Sequence, residues 1–347
     1  MEKTNKVMRI ILSVATFVAI ALVVVGVLAL PLQSNLTDGK VVASANIYDY
    51  IKNFIDMAKA LPEMGEGALQ QIAPLMMIII VIVFTVVFGI IAIVKGIILL
   101  IKTIKGMSGK GELNPLLKSL IGFGVIVVIY IGLLLGVIYS GSEHQSVTLG
   151  SGSEMMLSGG LMALVIPGVY RVATKDDRKL VNKILGFASA TCAIVALVVG
   201  LAATMTLPSD STTGIFTTVF LFIQNMTSGV APEGKVVFGL VLAIMGMVIV
   251  LVSLGFAKSV ISNGYLIDEE KKVDYEKSSI VKSALMFGFM VVGFLLIVIP
   301  LSSNSIGMGA GAIVAMVFGA LALGAAIANK IISGKAAAPK AEESKAE

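Results

Sequence analysis

The chain has no tryptophan, one cysteine and one histidine. Its single cysteine, Cys192, excludes an intrachain disulfide and any zinc site built on paired cysteines. It sits inside an apolar run, where a thiol serves as a small packing residue. A single histidine, His144, excludes a two-histidine metal site. Charge is scarce too: 14% of residues are Asp, Glu, Lys or Arg, against about 25% in soluble domains. A soluble fold of this composition would have too little polar surface to cover its core. A phosphate loop ending in Gly-Lys-Ser/Thr is missing, because Gly109-Lys110-Gly111 lacks the closing hydroxyl. No His-Glu-x-x-His occurs. No apolar run holds the paired acids of an aspartyl site, and an intramembrane serine would have no base in reach. These absences argue against an enzyme and leave no catalytic, cofactor-binding or metal-binding residue to name.

What the chain does have is apolar length. Hydrophobic residues make up 57% of it, and the mean hydropathy is +1.00. Eight apolar stretches stand out, at about 9–30, 75–101, 119–139, 157–170, 184–205, 236–257, 283–300 and 307–328. Each reaches spanning length, about 20 residues, once the fourth is extended from Met155 to about Ala173. The pattern predicts an all-α polytopic membrane protein with eight transmembrane helices. The first stretch has the basic start of a signal peptide, but its apolar core is longer than the usual 7–15 residues. It is expected to stay as an uncleaved span.

Basic residues set the orientation, because Lys and Arg favour the cytoplasmic side of short loops. With the N-terminus inside, segments 1–9, 95–118, 171–183, 258–282 and 329–347 hold 22 of the 26 Lys and Arg. The outer segments hold the other 4, Lys40, Lys52, Lys59 and Lys235. The expectation is a multi-pass protein of the cell membrane with both termini cytoplasmic. The net charge of +5 then belongs beside lipid headgroups, not nucleic acid. The tail 331–347 is small, charged and free of aromatics, and reads as disordered.

The chain echoes itself. ILSVATFVAIALVVVG at 11–26 resembles ILGFASATCAIVALVVG at 184–200, and MMLSGGLMALVIPGV at 155–169 resembles GMGAGAIVAMVFGAL at 307–321. Apolar helices share letters by chance, so the order of segments is the stronger argument. Each half has a helix, a long outer loop, a helix, a basic inner loop, a helix, a short outer loop and a helix with small residues at its start. This predicts two four-helix repeats, 1–180 and 181–330, parallel because four is even. In the first long loop, Ile47, Ile51, Phe54, Ile55 and Ala58 share one face of an amphipathic helix over 46–61. In the second, 213–226 reads as a shorter interfacial or re-entrant helix.

The functional candidates are few. Intramembrane polar residues are Thr85, Tyr130, Ser189, Thr191, Thr204 and Ser253. Ser and Thr can bond their own helix carbonyls, whereas Tyr130 needs a partner. Lys95, inside the second span, can snorkel to the inner headgroups. Gly132 with Gly136, Gly159 with Gly160, and Gly307 with Gly311 allow close helix approach. Pro167-Gly168 marks a kink or an early end in the fourth helix. The outer loops carry Asp38, Asp49, Asp56, Glu63, Glu66, Glu143, His144 and Glu154; an exposed histidine without a metal is the simplest reading of His144. Two functions fit. One is a non-catalytic scaffold or assembly subunit, with membrane lipids and either further copies or other membrane proteins as partners. The other is a passive channel or transporter for a neutral or lipid-like solute. What lies between the two halves separates them.

Overall fold

The computed structural model describes residues 2–60, 62, 68–107, 113–142, 144–174, 180–202, 204–206, 211–219, 234–265, 275–302 and 306–337. Nine long helices are described: α1 (Glu2–Ala29), α2 (Ile47–Ala60), α3 (Ala68–Met107), α4 (Leu113–Ile138), α5 (Ser151–Ala173), α6 (Leu180–Leu201), α7 (Gly234–Gly264), α8 (Tyr275–Leu301) and α9 (Ala310–Ala337). All but α2 are long and apolar enough to span a bilayer, which gives eight spans. In hydrocarbon, every backbone amide and carbonyl must find its partner within the protein, so runs rich in Ile, Val and Leu become helices there. The protein is a polytopic, essentially all-α membrane protein.

The fourth stretch does lengthen as expected, with α5 starting at Ser151 and passing through Pro167 to Ala173. Pro167 therefore lies inside the helix and does not end it. By contrast, α6 stops at Leu201, and Thr204 belongs to a strand. The segment after Lys95 continues α3 without a break to Met107. With 40 residues, α3 is about 60 Å long at 1.5 Å per residue, twice the hydrocarbon thickness of about 30 Å. The last helix reaches Ala337, into the segment read as a tail; 338–347 lie outside the described residues, as do Glu63, Glu66, Glu143 and 220–226.

One feature was not expected from the sequence. At one end of the bundle the interhelical segments form seven strands: β1 (Gln33–Thr37), β2 (Lys40–Ala45), β3 (Ser140–Gly141), β4 (Gln145–Leu149), β5 (Thr204–Thr206), β6 (Thr212–Gly214) and β7 (Gly307–Met308). They join into a single antiparallel sheet of order β2-β1-β4-β3-β6-β5-β7. The β1–β2 hairpin turns at Asp38 (φ 48°) and Gly39 (φ 74°). Positive φ at both central residues is the type I′ geometry that matches strand twist and favours Asp-Gly. Thr37 pairs with Lys40 across it, and the register shifts between Asn35 and Leu36, leaving Val42 as the extra residue of a bulge.

Beneath the sheet, α4 is the central helix, with 78% of its most apolar window buried. It packs on α3, α5 and α6, while α1 runs along α5, α6 along α9, and α7 along α8.

Candidate functional site

The decisive region is where α4 and α5 meet α6 and α7, under the middle of the sheet. Small residues of one side receive large ones of the other. A Cβ on Gly132 would collide with the Leu201 side chain, and one on Gly136 would lie 2.6 Å from the Phe216 ring. Near the opposite end, Gly168 of α5 admits the Tyr265 ring at the end of α7, and its Cβ would stand 2.8 Å from Phe187 of α6. Phe187 and Tyr265 in turn pack ring to ring, 6.0 Å between centroids. Gly132 and Gly136, expected to permit close approach, and Gly168, read with Pro167 as a kink or helix end, therefore all sit under bulky side chains at this seam. Leu201 and Tyr265 are buried there, and burial raises the Tyr265 hydroxyl above its ordinary pKa, holding it neutral.

The sheet completes the closure. Ser140 and Gly141 of β3 pair with Thr213 and Thr212 of β6. The Thr217 hydroxyl donates to the Val137 carbonyl at 2.5 Å, and the Gly214 amide donates to the Tyr139 carbonyl at 2.9 Å. The end of α4 is thus stitched to the segment that follows α6.

A second polar cluster lies under the other half of the sheet. Tyr130 finds its partner in Thr85, with the two hydroxyls 2.9 Å apart and Phe88 stacked on the Tyr130 ring. Thr85 also donates to the Val81 carbonyl at 2.7 Å. Above them Tyr50 of α2 donates to the Gln33 side chain, which donates to Asn35 at 2.7 Å. Burial, with the nearby Tyr130 second, pushes the Tyr50 hydroxyl far above its usual range, so it remains a donor. The helix over 46–61 forms as expected, capped by Asn46 and Asp49 in reciprocal bonds (Asp49 amide to Asn46 at 3.1 Å, Asn46 amide to Asp49 at 2.8 Å). On it Tyr50 is buried, while Ile51 and Ile55 are exposed.

The other candidates disperse. Thr191 and Ser253 bond carbonyls of their own helices, Phe187 at 2.9 Å and Val250 at 2.7 Å. Ser189 instead crosses from α6 to the Ala322 carbonyl of α9 at 2.9 Å. Lys95, Asp56 and Glu154 are exposed. Asp38 and His144 approach to 3.3 Å with side chains 73% and 75% exposed, a solvated contact of little energetic weight. Among the described residues no three His, Cys, Asp or Glu gather as metal ligands.

Gln33, Tyr50 and Thr217 were not singled out from sequence. The signals were Asp38-Gly39 between β-prone residues and the Thr-rich runs around 148, 205 and 213. No family model matches the chain, and comparison with curated proteins and with solved structures yields no match.

Proposed function

We propose that the protein is a non-catalytic scaffold or assembly subunit of a membrane complex. In this reading it is built from two parallel four-helix units, 1–180 and 181–330, and the sheet faces outward from the cell membrane. The placement of both termini in the cytoplasm rests on the 22-to-4 split of basic residues between loop sets. The order of elements supports two units. The first runs α1-β1-β2-α2-α3-α4-β3-β4-α5; the second runs α6-β5-β6, a helical turn at 215–219, then α7-α8-β7-α9. Within the sheet, the sequence β2-β1-β4 is matched by β6-β5-β7. The pairing of α1 with α5 is matched by that of α6 with α9.

The observation that carries the scaffold reading is the filled seam. Leu201, Phe216 and Tyr265 stand on Gly132, Gly136 and Gly168, where a passive path for a neutral or lipid-like solute would need open space. The assembly surface in this reading is the free edge of the sheet. Strand β2 is exposed along most of its length, with Val41 at 63%, Val42 at 64% and the adjoining Tyr48 at 65%. An apolar edge strand with no neighbour on its far side among the described residues is a pairing site unless something covers it. The partner is a second copy or another membrane protein.

The test replaces Val41 and Val42 together with Ser and sizes the complex extracted in mild detergent. A fall to the mass of the single chain, with thermal stability kept, supports the proposal. Unchanged size together with solute flux in proteoliposomes would overturn it in favour of a transport protein.

A further inference from the structure

The seam between α1 and α5 is tight at the sheet end and open at the other. Near the sheet, a Cβ on Gly152 would lie 2.6 Å from the Gly26 carbonyl, and one on Gly159 would lie 2.6 Å from the Ala19 carbonyl. Further from the sheet the two helices part, and a groove of about 430 Å³ opens between them. Leu12 and Ala15 form one wall, Met162 and Val165 the other, and Met8 and Tyr170 lie at the end away from the sheet. The hydroxyl of Ser158, also in the wall, is turned back to the Glu154 carbonyl at 2.9 Å. The groove falls within the spans Val7–Leu28 and Ser151–Ala173, at a depth where hydrocarbon is the solvent.

A proline distinguishes this seam from its counterpart. Pro167 lies inside α5, in sequence between the groove-lining residues Ile166 and Val169. It has no amide to donate to the Ala163 carbonyl, so the helix can bend there. The corresponding seam between α6 and α9 has no proline. It is closed by Ser189 donating to the Ala322 carbonyl and by small buried residues, with Gly200 of α6 against Ala315 of α9. Charge marks one end of the groove. Arg9 follows Met8 where α1 leaves the apolar span, half-buried, and its guanidinium has no protein partner among the described residues. Lys3 and Lys6 precede it in the sequence.

We propose that this groove is a binding site for one acyl chain of an anionic glycerophospholipid, drawn from the leaflet on the side of the chain termini, with Arg9 against its phosphate. An apolar slot supplies chain affinity without headgroup preference. Arg9, next in sequence to the groove-lining Met8 and without a partner for its guanidinium among the described residues, supplies the preference for negative charge, since guanidinium pairs with phosphate through charge-assisted hydrogen bonds. The site does not depend on the scaffold reading and would exist equally in a transport protein.

The test is native mass spectrometry of the full chain in mild detergent with equal amounts of dioleoyl phosphatidylglycerol and dioleoyl phosphatidylcholine. Wild type retains one phosphatidylglycerol per chain after looser lipids are stripped. Ala15→Phe, which fills the groove, lowers that retention by about tenfold, equivalent to ~1.4 kcal/mol. Val165→Phe on the facing wall does the same and serves if the first variant fails to fold. Arg9→Gln keeps a lipid but loses the preference for phosphatidylglycerol. Val94→Phe, on the exposed side of α3, leaves binding unchanged. Equal retention of the two lipids by wild type, or undiminished binding by both groove variants, would overturn the proposal.

Discussion

Helices α3 and α4 are neighbours of nearly equal hydropathy, 3.0 and 2.8 over their spans, yet 17% of one is buried and 78% of the other. The difference lies in which residues face protein. α4 carries Gly124, Gly132 and Gly136 against Leu164, Leu201 and Phe216, and bulky side chains enter from three directions. On α3, Gly89 meets nothing within 4 Å, and Gly96 meets the Phe123 ring at 3.8 Å and Ile20 at 3.9 Å, both ordinary van der Waals contacts. Its Ile90, Ile93, Val94, Ile97 and Ile101 are exposed. Lipid tails are as apolar as isoleucine, so hydropathy decides that a helix enters the membrane and steric fit decides where it packs.

The sharpest way to break this contrast is to fill the glycine notches of α4. Gly136→Leu places a branched side chain against Phe216 and is expected to cost about 3 kcal/mol from overpacking. The same change at Gly89 of α3 is expected to be near neutral, and comparing the two by thermal unfolding in detergent checks the contrast directly. A smaller loss is expected in the sheet: Gly39→Val puts a β-branched residue at φ 74°, worth about 1–2 kcal/mol for a left-handed residue. Tyr130→Phe removes the bond to Thr85 while keeping the stack on Phe88, for about 0.6 kcal/mol, the mean for membrane hydrogen bonds. At the bottom of the scale, Ile97→Ala on the exposed face of α3 is expected to stay within about 0.5 kcal/mol.

The same division explains what the sequence could tell. Length and apolar character made all eight spans legible, and the amphipathic pattern made α2 legible. The seam was half legible. Gly132 and Gly136 were visible as packing residues, but their partners Leu201 and Phe216 lie far along the chain, and only folding brings them together. Tyr130 announced a need for a partner without naming Thr85. The sheet was obscured because β3, β5 and β7 are two or three residues long, too short for alternation to register. The hairpin was the readable part, through Asp38-Gly39. Apolar spacing marked one face of α2 with Ile51 and Ile55 but gave no sign that Tyr50, bonded to Gln33, is its buried residue.

The central claim is that the middle of the molecule is closed, and solute permeability tests it most directly. Stopped-flow light scattering on proteoliposomes would compare water, glycerol and urea entry with that of empty vesicles. The account predicts identical rates for all three, in wild type and in Gly132→Ala. Faster entry of any of them in wild type, abolished by bulk at Gly132 or Gly136, would contradict it and place a conduction path through the seam.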